Sequence, residues 1–269
     1  MLKNGSNLHK LLSDNGNSIT NLVNEINTKF SHAFLTDDTP FPLPNEQELP
    51  SWDINITPED VRKELLSLNS KKASGPDGIP NALYKLVADY ISQPLCHLFC
   101  LSVNCQTFPT LFKTGHIVPV PKCSNPSIND LRPISLLIVP SKILERLVLN
   151  SVKNTFIKHF GNNQFSYRPK SSTTCAIIQL HDAVTQILEQ NVKGALVLSY
   201  DFSKAFDTLT HQLIIKRLIE CKFPCNMIRW IQSYLTNRSQ KTVIGGVESI
   251  EIPVYFWSPS GIHFGPLSI

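Results

Sequence analysis

Apolar residues recur at helical spacing along much of this chain, and in a few places they alternate or run together. In SITNLVNEINTKFSHAFL, Ile19, Leu22, Val23, Ile26 and Phe30 share one face of a helix. The segment TPFPLPNEQELP that follows cannot continue it and reads as an extended linker. A second helix opens at ITPEDVRKELLSLNS, with Thr57 as N-cap, Pro58 at the first helical position, and Glu59 and Asp60 in the first turn. These signals predict a leader over residues 1–56, with one helix and a proline-rich linker, and a main domain over 57–269.

Within the main domain KKASGPDGIP forms a turn, and NALYKLVADYISQPLCHLFCLSVNC is helical with an interruption at Pro94. FKTGHIVPVPK reads as a short strand with prolines at its edge. NDLRPISLL reads as an extended loop entering the helix SKILERLVLNSVKNTFIKHF. A helix over STTCAIIQLHDAVTQILEQ ends before Gly194, and ALVLSYD then reads as a buried strand that ends on a charge. Two helices follow, TLTHQLIIKRLIEC and, after Pro224, NMIRWIQSYLTN. KTVIGG and SIEIPVYF pair as a hairpin expected to lack further partner strands. The pattern is that of an α/β (α+β) protein without internal repeats.

Composition narrows the classes. Hydrophobic residues at 42% and charged residues at 17% are those of a globular chain. No apolar run approaches the roughly 18 residues of a membrane span, and MLKNGSNLHK is too polar for a signal peptide. With seven cysteines and no CxxC, neither a disulfide framework nor a zinc ribbon is indicated, and reduced buried thiols are expected. An intracellular chain without a membrane partner fits these features. Charge is divided unevenly: residues 1–70 hold 5 Lys/Arg against 10 Asp/Glu, whereas residues 71–269 hold 20 against 11. A basic body behind an acidic leader suits a polyanionic partner.

The run SYDFSKAFDTLTHQ carries the candidate chemistry. A carboxylate closing an apolar strand must be solvated, paired or bound to a metal, because burying it alone costs several kcal/mol. An isolated aspartate at such a place is usually a helix cap or an exposed strand end, and Asp207 is read as the cap of the helix after it. Asp201 keeps different company: it ends the strand, and Lys204 follows in the turn. DFSKAFDTLTHQLIIKRL is similar to the first catalytic motif of reverse transcriptases of non-LTR (LINE-type) retrotransposons. KKASGPDGIP, KTGHIVPVPKCSNPSINDLRPISLL and QFSYRPKSSTTCAIIQL resemble successive upstream motifs of that family, in its order, and together they cover most of residues 61–218.

The resemblance implies the fingers and an incomplete palm of a right-hand polymerase fold, using Mg2+, an RNA template, a DNA primer and deoxynucleoside triphosphates. It implies that Asp201 is a catalytic ligand of the two magnesium ions, with the backbone of Phe202 near one of them. Lys122 and Arg132 would hold the triphosphate, a task suited to an ammonium and a planar guanidinium. Phe206 would be the steric gate under the incoming sugar, and Gly261 would line the nucleotide pocket. Gly75 and Asp77 in the GPDG turn, and Arg168 in SYRPK, would lie along the template. Residues 142–170 carry six Lys/Arg against one acid, with Phe156, Phe160, Phe165 and Tyr167 interleaved; they could support an RNA strand or belong to a core.

The pattern departs from the family in two places. A two-metal site needs a further carboxylate beside the first. The family places two adjacent aspartates in a later hairpin, yet this chain has no aspartate after Asp207, only Glu220, Glu248 and Glu251. WSPSGIHFGPLSI resembles the family's PQGSxLGP motif, with Ser260 in place of glutamine and Ile262 in place of serine. The expectation is therefore a reverse transcriptase domain cut short before the second catalytic motif and the thumb, and inactive as an isolated chain. A nucleic-acid-binding remnant without chemistry, and an interaction domain, stay open as alternatives.

Overall fold

A computed structural model of the chain describes residues 18–32, 52–159, 163–166, 168–190, 192–201 and 210–254. The proline-rich linker, Phe160, Tyr167, Phe202, Phe206, Asp207 and the segment containing Gly261 lie outside the described residues. The helices are α1 (Ile19–His32), α2 (Pro58–Leu66), α3 (Asn81–Leu86), α4 (Ala88–Asn104), α5 (Val139–His159), α6 (Thr173–Leu188), α7 (His211–Glu220) and α8 (Cys225–Leu235). The strands are β1 (Thr114–Pro121), β2 (Leu131–Leu136), β3 (Arg238–Ile244), β4 (Val247–Glu248) and β5 (Ile252–Val254). They form one mixed five-stranded sheet in the order β2-β1-β3-β4, with β5 also paired to β3.

Two compact units divide the chain. One comprises residues 1–149 and 206–269, the other residues 150–205.

Local chemistry explains most of the element boundaries. Thr57 caps α2 in a full capping box: its hydroxyl accepts from the Asp60 N–H, and the Asp60 carboxylate accepts from the Thr57 N–H. The break between α3 and α4 falls at Val87, whose φ of −98° and ψ of 10° lie outside the helical basin, and not at Pro94, which the helix runs through. α7 is capped by Thr210, whose hydroxyl accepts from the Leu213 N–H. The expected cap, Asp207, lies three residues before it.

LRPISL is a strand, contrary to the loop expected there. β2 pairs antiparallel with β1, placing Val120 opposite Arg132 and Pro119 opposite Pro133. The Lys122 N–H donates to the Asp130 carbonyl at 2.8 Å, so residues 122 and 130 form a hydrogen-bonded pair. By alternation, Pro119, Pro121 and Pro133 fall in non-hydrogen-bonded pairs, where a missing N–H points away from the partner strand. On the other side of β1 the parallel pairing with β3 extends only as far as Ile117 and Thr242, so Pro119 and Pro121 meet no strand there either.

The strand expected to lack neighbours, KTVIGG, is β3. It finds one in β1, and it joins β4 through Gly245 and Gly246, whose φ values of 58° and 85° fit a two-residue hairpin turn.

One face of the sheet is covered by α1. Leu22, Val23, Ile26 and Phe30 form a buried cluster with Ile117, Leu131 and Ile244. The fully buried Asn27 adds polar stitching. Its amide donates to the Ile250 carbonyl at 2.9 Å, and its side-chain oxygen accepts from Gln240 at 3.1 Å and Thr242 at 3.0 Å. A second core in the same unit is aromatic. Phe108 meets Tyr234 edge-on at 4.9 Å and Trp230 at 5.4 Å, while the Trp230 indole donates to Ser102 at 3.0 Å.

The second unit holds the later part of α5, α6 and residues 189–201. None of the residues of α6 is buried. The expected strand ALVLSYD is not a strand: residues 195–201 have no ladder partner, and Leu196 and Tyr200 are 84% and 85% exposed. Apolar sequence gives a strand only where a neighbour accepts its backbone bonds, and residues 195–201 pair with none of the described strands.

Candidate functional site

Lys122 and Arg132 come together on the β1–β2 hairpin. Arg132 stands opposite Val120, and Lys122 is two residues beyond Val120. A period of two turns both cations to the same side, away from the face bearing Ile117 and Leu131, which α1 covers. Both are exposed.

The loop between the strands is set by Ser127 and Asp130. The Ser127 N–H and hydroxyl donate to the Asp130 carboxylate at 3.0 and 2.6 Å, and the Asn129 N–H donates to the Ser127 hydroxyl. Those bonds, with Lys122 and Lys29 adding charge, hold the Asp130 carboxyl below its usual range. The hairpin thus presents two cations on a loop whose shape is fixed by an ionised carboxylate.

The GPDG turn is packed against the far end of β2. A Cβ on Gly75 would stand 2.5 Å from the Leu137 carbonyl oxygen and 2.8 Å from the Ile138 backbone. The Gly78 N–H closes the turn on the Gly75 carbonyl at 3.0 Å, and Gly78 has a φ of 67°. The Asp77 carboxylate accepts from the Tyr84 hydroxyl at 2.6 Å and the Ile79 N–H at 3.2 Å. Burial, with the Asp77 bond, pushes the Tyr84 phenol well above its usual range. Arg132 and the Gly75 contact lie at opposite ends of β2, about 17 Å apart along the strand.

Arg168 and Asp201 belong to the other unit, and both are exposed. Phe202, Phe206 and Gly261 are outside the described residues, as are Phe160 and Tyr167; Phe165 is half-buried. Among the described residues no three His, Cys, Asp or Glu side chains are assembled so as to hold a metal ion. Asp201 supplies a single carboxylate, so these residues do not make up a two-magnesium centre.

Sequence reasoning missed a buried ionisable cluster in the first unit. Glu145 on α5 is wholly buried, and Ser141 donates to its carboxylate at 3.1 Å. Arg238, 2% exposed at the start of β3, donates to the Tyr234 carbonyl at 2.8 Å and the Phe112 carbonyl at 3.4 Å. Its guanidinium lies 4.7 Å from the Tyr234 ring centre. Burial pushes the Glu145 carboxyl up to about 7, against the downward pull of Arg238, Ser141, Lys142 and Tyr234. Burial, with Arg238 nearby, pushes His211 down to about 4. The available signal was positional: Glu145 shares a helical face with Ser141 and Val148, and Arg238 alternates in register with Gln240, Thr242 and Ile244.

The two shifts act in opposite directions on stability. A carboxyl raised from 4.5 contributes stability below 4.5 that is lost as pH rises through 7, whereas a histidine lowered from 6.5 contributes stability above 6.5 that is lost as pH falls through 4. Each is worth at most on the order of 3 kcal/mol, so the two nearly cancel between their limits. Glu145→Gln is therefore expected to expose the histidine alone, giving stability that rises with pH from 4 to 6.5. Urea melts across that range test this; a profile parallel to that of the wild type would refute it.

Residues 120–269 match the family described as Reverse transcriptase (RNA-dependent DNA polymerase). The chain belongs to this family. Its relatives place this reverse transcriptase chain among the non-LTR retrotransposons. It is 30% identical over 220 residues to the RNA-directed DNA polymerase from mobile element jockey of Drosophila melanogaster, covering 78% of this chain and 23% of that protein. It is 27% identical over 258 residues to the probable RNA-directed DNA polymerase from transposon BS of the same fly, covering 91% of this chain and 28% of that protein. For the corresponding protein of transposon X-element the identity is 30% over 227 residues, covering 80% and 24%. The chain thus spans about a quarter of the length of these relatives. No helix among the described residues is long and apolar enough to cross a membrane.

Proposed function

We propose that this chain forms the fingers and an incomplete palm of a right-hand polymerase serving RNA-templated DNA synthesis, and that it contributes the nucleotide- and template-binding half of the site. The observation that carries this reading is the β1–β2 hairpin, which sets Lys122 and Arg132 side by side on an exposed face. An ammonium and a guanidinium so placed suit phosphate oxygens, the common feature of a deoxynucleoside triphosphate, an RNA template and a DNA primer. Gly75 and Asp77 shape a turn at the other end of β2, where a template strand would pass, and Arg168 would add a further phosphate contact. Phe206 would lie under the incoming sugar, with Gly261 beside the nucleotide.

Asp201 is the catalytic carboxylate of this reading, with the Phe202 backbone beside it. Bound Mg2+ would neutralise charge at the reacting phosphate. The described residues do not by themselves make up that centre. Asp201 alone fits a second reading as well, a nucleic-acid-binding chain without chemistry. No aspartate follows Asp207 in the sequence, and Ser260 and Ile262 replace the polar residues of the last motif.

Binding of single-stranded RNA, followed by fluorescence anisotropy against salt concentration, tests the hairpin. The wild-type chain should bind with an affinity that falls steeply as salt rises. Lys122→Ala/Arg132→Ala should bind about tenfold more weakly at low salt, with the slope of log affinity against log salt reduced by about 1.4. An unchanged slope in the double variant would remove the hairpin from the interface.

A further inference from the structure

Two thiols of α4 converge on one backbone oxygen in a place that the polymerase reading does not use. Cys96 and Cys100 lie one helical turn apart, and their sulfur atoms stand 3.2 and 3.6 Å from the Ile56 carbonyl oxygen. Cys96 is buried and Cys100 half-buried. Ile56 is itself buried and immediately precedes Thr57, the N-cap of α2. The two S–H donors therefore tie the segment entering α2 to α4. Burial foremost, then the neighbouring Cys100, pushes the Cys96 thiol up to about 11.

Three observations select the chemistry. Protonated thiols alkylate slowly, because the thiolate is the nucleophile. Residues four apart on a helix keep their Cβ atoms about 5–6 Å from one another, wider than the roughly 3.5–4.5 Å of a disulfide, so the pair cannot join directly without unwinding the helix. A third ligand for a tetrahedral metal is not assembled among the described residues. What fits is a single thiophilic atom that bridges two sulfurs.

We infer that Cys96 and Cys100 form a dithiol site for a trivalent organoarsenical, with one arsenic atom bridging the two sulfur atoms. An arsenoxide, R–As=O, reacts with the two S–H groups to form two As–S bonds; both protons leave on the oxide oxygen as one water, and arsenic stays trivalent. No oxidant or reductant is consumed. Reaction begins at the more accessible Cys100 and closes on Cys96. It removes both donors from the Ile56 carbonyl, so the 52–57 segment loses its tie to α4.

The test uses the full chain with its exposed thiols, Cys105, Cys123 and Cys175, first blocked by brief iodoacetamide treatment. Phenylarsine oxide should then be retained at one arsenic per chain through gel filtration in a monothiol buffer, and be released by dithiothreitol. Cys100→Ser, checked for native circular dichroism, and Cys96→Ser should each reduce retained arsenic at least tenfold, while Cys221→Ser should leave it unchanged. Hydrogen exchange over residues 52–57 should quicken at least fivefold on binding. Absence of retained arsenic in the blocked wild type, retention unaffected by Cys100→Ser, or retention abolished by Cys221→Ser would each overturn the assignment.

Discussion

Replacing Arg238 by leucine is expected to cost about 3–5 kcal/mol of folding stability at pH 8. The guanidinium is the principal cation acting on the wholly buried Glu145 carboxyl. Without it, the wholly buried carboxylate would keep only Ser141, Tyr234 and Lys142 to offset its charge. The variant also loses the bonds from Arg238 to the Tyr234 and Phe112 carbonyls, which join the start of β3 to α8 and to the turn before β1.

The pH dependence separates these contributions. Glu145 titrates near 7 in the intact protein and higher still without the cation, so the loss should shrink by pH 5, where the carboxyl is neutral. Combining Arg238→Leu with Glu145→Leu should recover most of the difference seen at pH 8, since two apolar side chains of suitable volume often replace a buried pair without penalty. Equal losses at pH 5 and pH 8 in urea melts would show that the cation is not balancing Glu145.

Gly75→Ala is the other large effect expected, about 3 kcal/mol. The added methyl group would meet the Leu137 carbonyl oxygen at 2.5 Å and the Ile138 backbone at 2.8 Å, and backbone at the junction of β2 and α5 has no side-chain rotamer with which to yield. Leu137 and Val139 on either side are buried, so a shift would be passed into the core.

Gly78→Ala provides the control. Nothing lies within 4 Å of its Cβ position, so only the positive φ of 67° resists substitution, at about 1–2 kcal/mol. Thermal denaturation should therefore rank Gly75→Ala as clearly the more damaging. An equal or reversed order would contradict the close packing of the turn on β2.

The helices were legible because their signals are local. Thr57, Pro58 and Asp60 announce α2, and the apolar stripe of α1 needs only its own spacing. The sheet was legible only in part. LRPISL has a proline and little alternation of its own, and it becomes a strand because β1 supplies a register in which that proline loses no ladder bond. The parallel pairing of β1 with β3 joins Thr114 to Ser239 across most of the chain's length, a contact that no local pattern records. ALVLSYD shows the converse: its composition is right for a strand, but it pairs with none of the described strands.

The candidate site divides in the same way. Lys122 and Arg132 could each be named from sequence, yet their placement on one side of a hairpin depends on the pairing of Val120 with Arg132. Asp77 was named as a template contact, and its bonds to Tyr84 and Ile79 add a role in shaping the turn that the sequence does not express. Glu145 and Arg238 fall on the inward positions of their elements, but charged residues in amphipathic elements ordinarily face water, so position alone does not single them out. Only the packing reveals that these two face inward.

On the proposed function, Lys122 and Arg132 bind nucleic acid and Asp201 is the catalytic carboxylate, in a sequence with no aspartate after Asp207. Primer extension by the purified 269-residue chain, on an RNA template with an annealed DNA primer, deoxynucleoside triphosphates and Mg2+, tests that most directly. The expected result is RNA binding without incorporation above the level seen in the absence of protein. Incorporation that is template-dependent and abolished by Asp201→Ala would contradict it.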